Sequence, residues 1–246
     1  MRVLIKVFLK IFFRNPRAWF FVIFLPSGLF AIAAFLNLES IIRADVGVPY
    51  NNFLLLGIAS MALMQTGLYT VGYIFIDYRR LQIFKQLAAT PLAASRFLTA
   101  QIAARFIIAC LQMTILISLG IGFFGSELQN LWLLPLLIFL GSTLFMNFGI
   151  IIATIARDYE EAAPYTTLIG IPLVFLGDVF FPVKNLPPIL LALADYLPLK
   201  PLSAILRHFL LGLNDLILFQ DMTVLLVWLI FLMLVARQLF AKKVYS

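Results

Sequence analysis

Asp77-Tyr-Arg-Arg-Leu-Gln-Ile-Phe-Lys-Gln-Leu-Ala-Ala-Thr-Pro-Leu-Ala-Ala-Ser-Arg-Phe97 separates two long apolar runs that do not accommodate charge. The runs, 53–76 and 102–124, are each long enough to cross a hydrocarbon core of roughly 30 Å as a helix. The charged insert between them therefore sits outside a bilayer, and the rest of the chain repeats this punctuation of apolar spans by polar connections. Within the insert, 83–89 is built from good helix formers, with Phe84 and Leu87 or Ala88 on one face and Lys85 on another. Thr90-Pro91 ends that helix and starts the next, threonine as N-cap and proline in the first turn. A short surface helix between two spans is either a plain connector or a handle by which a soluble partner turns both spans.

Composition agrees with this punctuation. The 246 residues are 63% hydrophobic and 12% charged, with a mean hydropathy of +1.06, more apolar surface than a soluble core of this length can bury. The expected class is an all-α integral membrane protein. A net charge of +7 would suit nucleic acid, but the basic residues flank apolar spans instead of forming a polar patch. They read as topology signals, and no nucleic-acid partner is expected. Cys110 stands alone, so no internal disulfide forms, and with His208 the only histidine no metal site is expected.

Residues 1–15 place Arg2, Lys6, Lys10 and Arg14 on one side of a helix and apolar residues around the rest, which predicts an interfacial amphipathic helix ended by Asn15-Pro16. The alternative is a simple basic flank of the first span. That span, 18–36, is read as retained, not as a cleaved signal, and Pro26 and Gly28 predict a bend in it. Span two covers 53–76, with Thr66, Tyr69, Thr70 and Tyr73 on one face, either lining a pathway or hydrogen-bonding between helices. Span three is 102–124, where Arg105 lies near the start and is read as snorkelling to the interface in preference to a buried functional charge. Span four is 131–155, with Gly141, Ser142 and Gly149 as close-packing surfaces, span five is 164–181, and span six is 222–240. Asp178 lies inside an apolar run, close to the outer interface or functional. Between spans five and six, 182–221 contains apolar pieces too short to cross, cut by Pro and Gly; re-entrant helices or a surface hairpin fit this pattern.

Six spans put both termini on one side. Fourteen of the 18 Lys and Arg residues fall there, and the positive-inside rule makes that side cytoplasmic, together with the 77–97 segment and the Arg157–Glu161 loop. No phosphate-binding loop, His-Glu-x-x-His or Gly-x-Ser-x-Gly motif occurs, and intramembrane ionisable residues are scarce. The chain carries no recognisable hydrolytic or ATP-binding device of its own.

Arg79-Arg-Leu-Gln-Ile-Phe-Lys-Gln-Leu-Ala-Ala-Thr-Pro-Leu92, the basic start, the six spans, and Phe180-Phe-Pro-x-x-x-Leu-Pro187 followed by Pro198 and Arg207 resemble, in order and spacing, the membrane subunit of ABC-2 type ABC transporters. Where that family carries a glutamate and a glycine around its coupling segment, this chain carries leucine or Asp77, and Gln82 or Ile83. The resemblance implies a single transmembrane domain over 1–246 that pairs with a second copy or a paralogue. Two cytoplasmic ATP-binding cassette subunits, which carry the ATP and Mg²⁺, would grip it; no cofactor is expected on this chain. Arg79, Arg80, Phe84, Lys85, Leu87 and Pro91 are the expected coupling residues, with Asp158 and Glu160 as a second contact. Thr66, Tyr69, Tyr73 and Asp178 are the candidate pathway residues. The expected cargo is a lipid, an amphipathic drug or a lipid-linked glycan, the expected location a bacterial-type cytoplasmic membrane with lipids as surroundings. A stand-alone channel or ion-coupled carrier, and a transport-free membrane scaffold, are the competing classes.

Overall fold

The computed structural model describes residues 1–36, 47–83, 86, 89, 92, 94–183, 186–213 and 218–244. The described residues fold into helices joined by turns: α1 (Arg2–Arg14), α2 (Pro16–Phe35), α3 (Tyr50–Arg80), α4 (Ala94–Phe124), α5 (Leu131–Ile155), α6 (Tyr159–Leu176), α7 (Pro188–Tyr196), α8 (Leu199–Leu211) and α9 (Leu218–Val244).

The bundle is built round α3. Every residue from Asn52 to Met64 is buried, and the helix is enclosed by α2, α4, α5 and α8. A helix that is apolar on all sides has no solvent face to offer, so it takes the centre. Against α5 it comes into backbone contact: a β-carbon on Gly149 would fall 2.4 Å from the Gly67 carbonyl oxygen, and one on Gly67 would fall 2.5 Å from the Phe145 carbonyl carbon. Small residues at a crossing let two membrane helices approach this closely. At the same place α3 widens into a π-helical turn, Thr66–Val71. A second π turn, Phe20–Phe24, precedes Pro26 in α2, where proline cannot donate to the carbonyl four residues back. The irregularity expected at Pro26 and Gly28 thus lies one turn earlier.

Asn15 ends α1 and its side chain accepts from the Ala18 amide (3.3 Å), capping α2. Helix α1 buries Phe8 and Phe12 against α4 and α2 and leaves Arg2, Lys6, Lys10 and Arg14 exposed.

Pro16–Phe35, Tyr50–Arg80, Thr99–Phe124, Leu131–Ile155 and Leu218–Leu239 are long and apolar enough to cross a membrane; α7 and α8, bent by 71° at their junction, make a sixth if counted as one span. The expected fifth span corresponds to α6, an 18-residue helix that ends at Leu176, short of Phe181. It carries Glu160 and Glu161 in its first turn and stands outside that set of five. The expected re-entrant region holds two short helices, of which α8 is buried along most of its length against α3 and α9. Of the exposed loop expected over 37–52, residues 37–46 lie outside the described residues and Tyr50–Asn52 already belong to α3.

Connections gather at two ends. At one, the Tyr50 hydroxyl donates to the Phe180 carbonyl (2.7 Å), the Asn52 amide to the Glu127 carbonyl (3.5 Å) and the Gln129 backbone to Leu210 (2.7 Å). At the other lie the end of α3 and the α5–α6 turn.

Candidate functional site

Arg79 sits in the last turn of α3 and reaches across to the end of α5. Its Nη1 donates to the Ala153 carbonyl (2.9 Å), and its Nη2 donates to the carbonyls of Ala156 and Arg157, the latter at 3.1 Å. A guanidinium fork satisfies carbonyls that a helix C-terminus leaves unpaired, with its charge at the negative end of the helix dipole. Arg80 lies over the Tyr159 ring, 5.5 Å from its centroid. Asp158 caps α6 by accepting from the Glu161 amide (3.0 Å), and the Glu161 side chain reaches back to the Arg157 amide (2.8 Å). Glu160 points to solvent. Four expected coupling residues, Arg79, Arg80, Asp158 and Glu160, thus meet at one end of the bundle. Phe84, Lys85, Leu87 and Pro91 lie outside the described residues. The chain leaves α3 through Gln82 at φ +54°, a left-handed turn that glycine adopts most readily.

Next to this junction opens a cavity of about 990 Å³ walled by α1, α2, α3, α4 and α6. Thr66, Tyr69 and Tyr73 line it, but Asp178 does not. The same three side chains also join helices. Thr66 donates to Gln112 Oε1 (2.8 Å), Tyr69 donates to the Thr166 carbonyl (3.4 Å), and the Tyr73 and Thr166 hydroxyls lie 3.4 Å apart. Thr166 already donates into its own helix at Ala162 and Ala163, which makes Tyr73 the donor. The same side chains thus line the cavity and hydrogen-bond neighbouring helices together. A β-carbon on Gly170 would stand 2.5 Å from the Tyr69 hydroxyl, so glycine there makes room for the phenol. The Thr70 side chain lies outside the described part. In the first turn of α6, before its apolar run, Tyr159 contacts Tyr73 with ring centroids 5.5 Å apart. Burial, then the hydrogen bond and charge of Asp77, hold its phenol well above the ordinary range, and it stays neutral.

Asp178 belongs to the opposite end. It occupies a left-handed turn (φ +52°) after α6, its carboxylate accepting from the Val183 amide (2.7 Å) and its carbonyl accepting from Arg207. Arg207, 6% exposed, also donates to the Phe53 carbonyl (3.2 Å) and the Ser203 hydroxyl (3.3 Å), with its guanidinium 3.6 Å from the Phe53 ring centroid. The arginine locks the turn after α6 onto α3 and α8.

Arg105 differs from the expected snorkelling residue. It is 5% exposed and lines the cavity, and its guanidinium lies 5.5 Å from the Phe12 ring centroid beneath α1. Its Nε and Nη1 find no hydrogen-bond partner among the described residues. A buried donor left unmade costs about 1–3 kcal/mol, more when charged.

A sequence model of the ABC-2 type transporter family matches residues 1–211. The chain belongs to that family. It is similar to nodulation protein J of Sinorhizobium fredii, 28% identical over 168 residues that cover 67% of this chain and 63% of that one. Nodulation protein J of Rhizobium leguminosarum bv. viciae is 27% identical over 179 residues, covering 69% and 66%. The inner membrane transport permease YadH of Escherichia coli K12 is 20% identical over 184 residues, covering 75% and 72%. The chain spans just under two-thirds of the length of these two nodulation proteins. In this ABC-2 chain, two buried arginines, 105 and 207, escaped sequence reasoning as site residues. The signal for Arg105 was its place three residues into the apolar run 102–124; nothing local indicated that α1 would close over it.

Proposed function

We infer that the chain is the membrane-spanning subunit of an ATP-driven exporter. Its pathway is completed by a second copy or a paralogue, and two cytoplasmic cassette ATPases that carry ATP and Mg²⁺ drive it. Both termini and the 77–97 segment face the cytoplasm of a bacterial-type inner membrane. The observation that carries this reading is the junction at Arg79, where the expected coupling segment is hydrogen-bonded to the end of α5 beside the acidic α5–α6 turn. Force delivered to either piece reaches both, and the cavity opens alongside. Thr66, Tyr69 and Tyr73 would face the cargo, a lipid, an amphipathic drug or a lipid-linked glycan. Asp178 serves the opposite end as a turn residue.

The test is co-purification with the cassette ATPase. Replacing Phe84 and Leu87 together by aspartate is expected to abolish the complex while the permease still inserts and melts normally. An unaltered complex would remove the coupling assignment. Transport driven by an ion gradient without ATP would favour a carrier instead.

A further inference from the structure

The two buried arginines differ in one respect. Arg207 spends its donors on Phe53, Ser203 and Asp178. Arg105, equally enclosed, keeps Nε and Nη1 unpaired among the described residues and lines an open cavity. Neither of the two ion pairs among the described residues involves it. A guanidinium so placed is a receptor for an oxyanion, whose charge and lone pairs match what it lacks.

The surroundings define the rest of the ligand. Gln101 and Tyr78 line the cavity beside Arg105, the Tyr78 hydroxyl donating to Gln101 Oε1 (3.2 Å). Asp77 also lines it, engaged by the Tyr159 phenol, and Arg17 adds a second cation. The rest of the wall mixes Gln65, Thr66, Tyr69 and Tyr73 with an apolar stretch formed by Leu25, Met64 and Val174 from three helices. About 990 Å³ lies at the upper end of ligand-pocket volumes, so a free inorganic ion would leave most of the apolar wall uncovered.

We propose that this cavity binds an acidic amphiphile, a carboxylate or phosphate headgroup on an aliphatic chain, with Arg105 holding the headgroup and the α2–α3–α6 wall taking the chain. The inference deepens the exporter reading, since the expected pathway residues line the same cavity, but its test needs no transport.

The purified permease, alone in nonionic detergent, is titrated with dansyl-labelled undecanoic acid and with the matching dansyl-labelled undecanol. The acid is expected to bind about tenfold tighter than the alcohol. Arg105→Gln should remove that preference and keep alcohol binding, while Arg105→Lys retains part of it. Met64→Trp, which fills the apolar end with Arg105 intact, should weaken both probes. Equal binding of acid and alcohol by the native chain, or a preference that survives Arg105→Gln, overturns the proposal, as does displacement of the acid by inorganic phosphate alone. Phospholipid retained by the native chain in native mass spectrometry and lost in Arg105→Gln supports the site and assigns it to a bilayer lipid. ATP-dependent movement of the acid in the reconstituted complex supports it and assigns it to cargo. Acid binding that persists while no ATPase partner associates would sink the exporter reading and leave the site standing.

Discussion

At the residue scale, the environment of a charge matters more than its position in the chain. Arg105 and Arg207 both sit in apolar helices, and both are enclosed. Arg207 acts as a structural cross-brace because carbonyls of α3 and of the turn after α6 converge on it. Arg207→Met is therefore expected to cost about 3 kcal/mol, several charge-assisted hydrogen bonds being lost and their acceptors left buried. A fall in the thermal midpoint of the purified protein, with partial rescue by Arg207→Lys, checks this. Little of either role was legible in the sequence. Hydropathy reports that an arginine interrupts an apolar run, whereas its partners come from residues far away in the chain, Phe53 lying 154 positions from Arg207. Thr66, Tyr69 and Tyr73 were legible because their spacing places them on one helical face, a local property. That the face both lines a cavity and bonds to Thr166 depends on α6, which local spacing does not reveal.

At the element scale, the helices expected over 1–15, 53–76 and 131–155 from apolar periodicity, basic flanks and Pro or Gly breaks overlap α1 (Arg2–Arg14), α3 (Tyr50–Arg80) and α5 (Leu131–Ile155). The broken helices after α6 followed from pieces too short to cross. The π turn in α2 lies beside the break that Pro26 predicts, whereas the one in α3 did not follow from the sequence, since it sits where a tertiary contact displaces the backbone ladder. The α3–α5 crossing shows the same limit: Gly149 was legible as a packing residue, but its partner Gly67 was not. Gly149→Val should force α3 and α5 apart and cost about 1–3 kcal/mol, as overpacking does. Melting of the variant measures that cost, and a smaller side chain at the facing position does not relieve it because the facing group is backbone. Gly170→Ala makes a milder clash, with the end of the Tyr69 side chain. It is expected to leave the melting temperature nearly unchanged and to alter probe binding in the cavity.

At the scale of the whole molecule, alternation of spans and charge bias predicts which connections share a side, and the two ends of the bundle gather the same connections together. Residues 50–53, 126–130, 178–183 and 207–211 meet at one end, and 79–80 with 153–161 at the other. Cys110 being the sole cysteine, a Cys110→Ala background makes sidedness measurable. A cysteine at Glu160 should react with an impermeant maleimide only from the cytoplasmic face, and one at Gln129 only from the opposite face; reversed labelling would invert the orientation. The backbone contact between Gly67 and Gly149 then acquires a mechanical meaning. With backbone against backbone there, the two helices cannot approach more closely, and the contact is expected to serve as a pivot. Arg79 lies about 18 Å along the helix from this fulcrum, already fastened to the far end of the second helix. A push delivered at that end is expected to move the tied pair together, and with it the wall that bears Tyr69 and Tyr73.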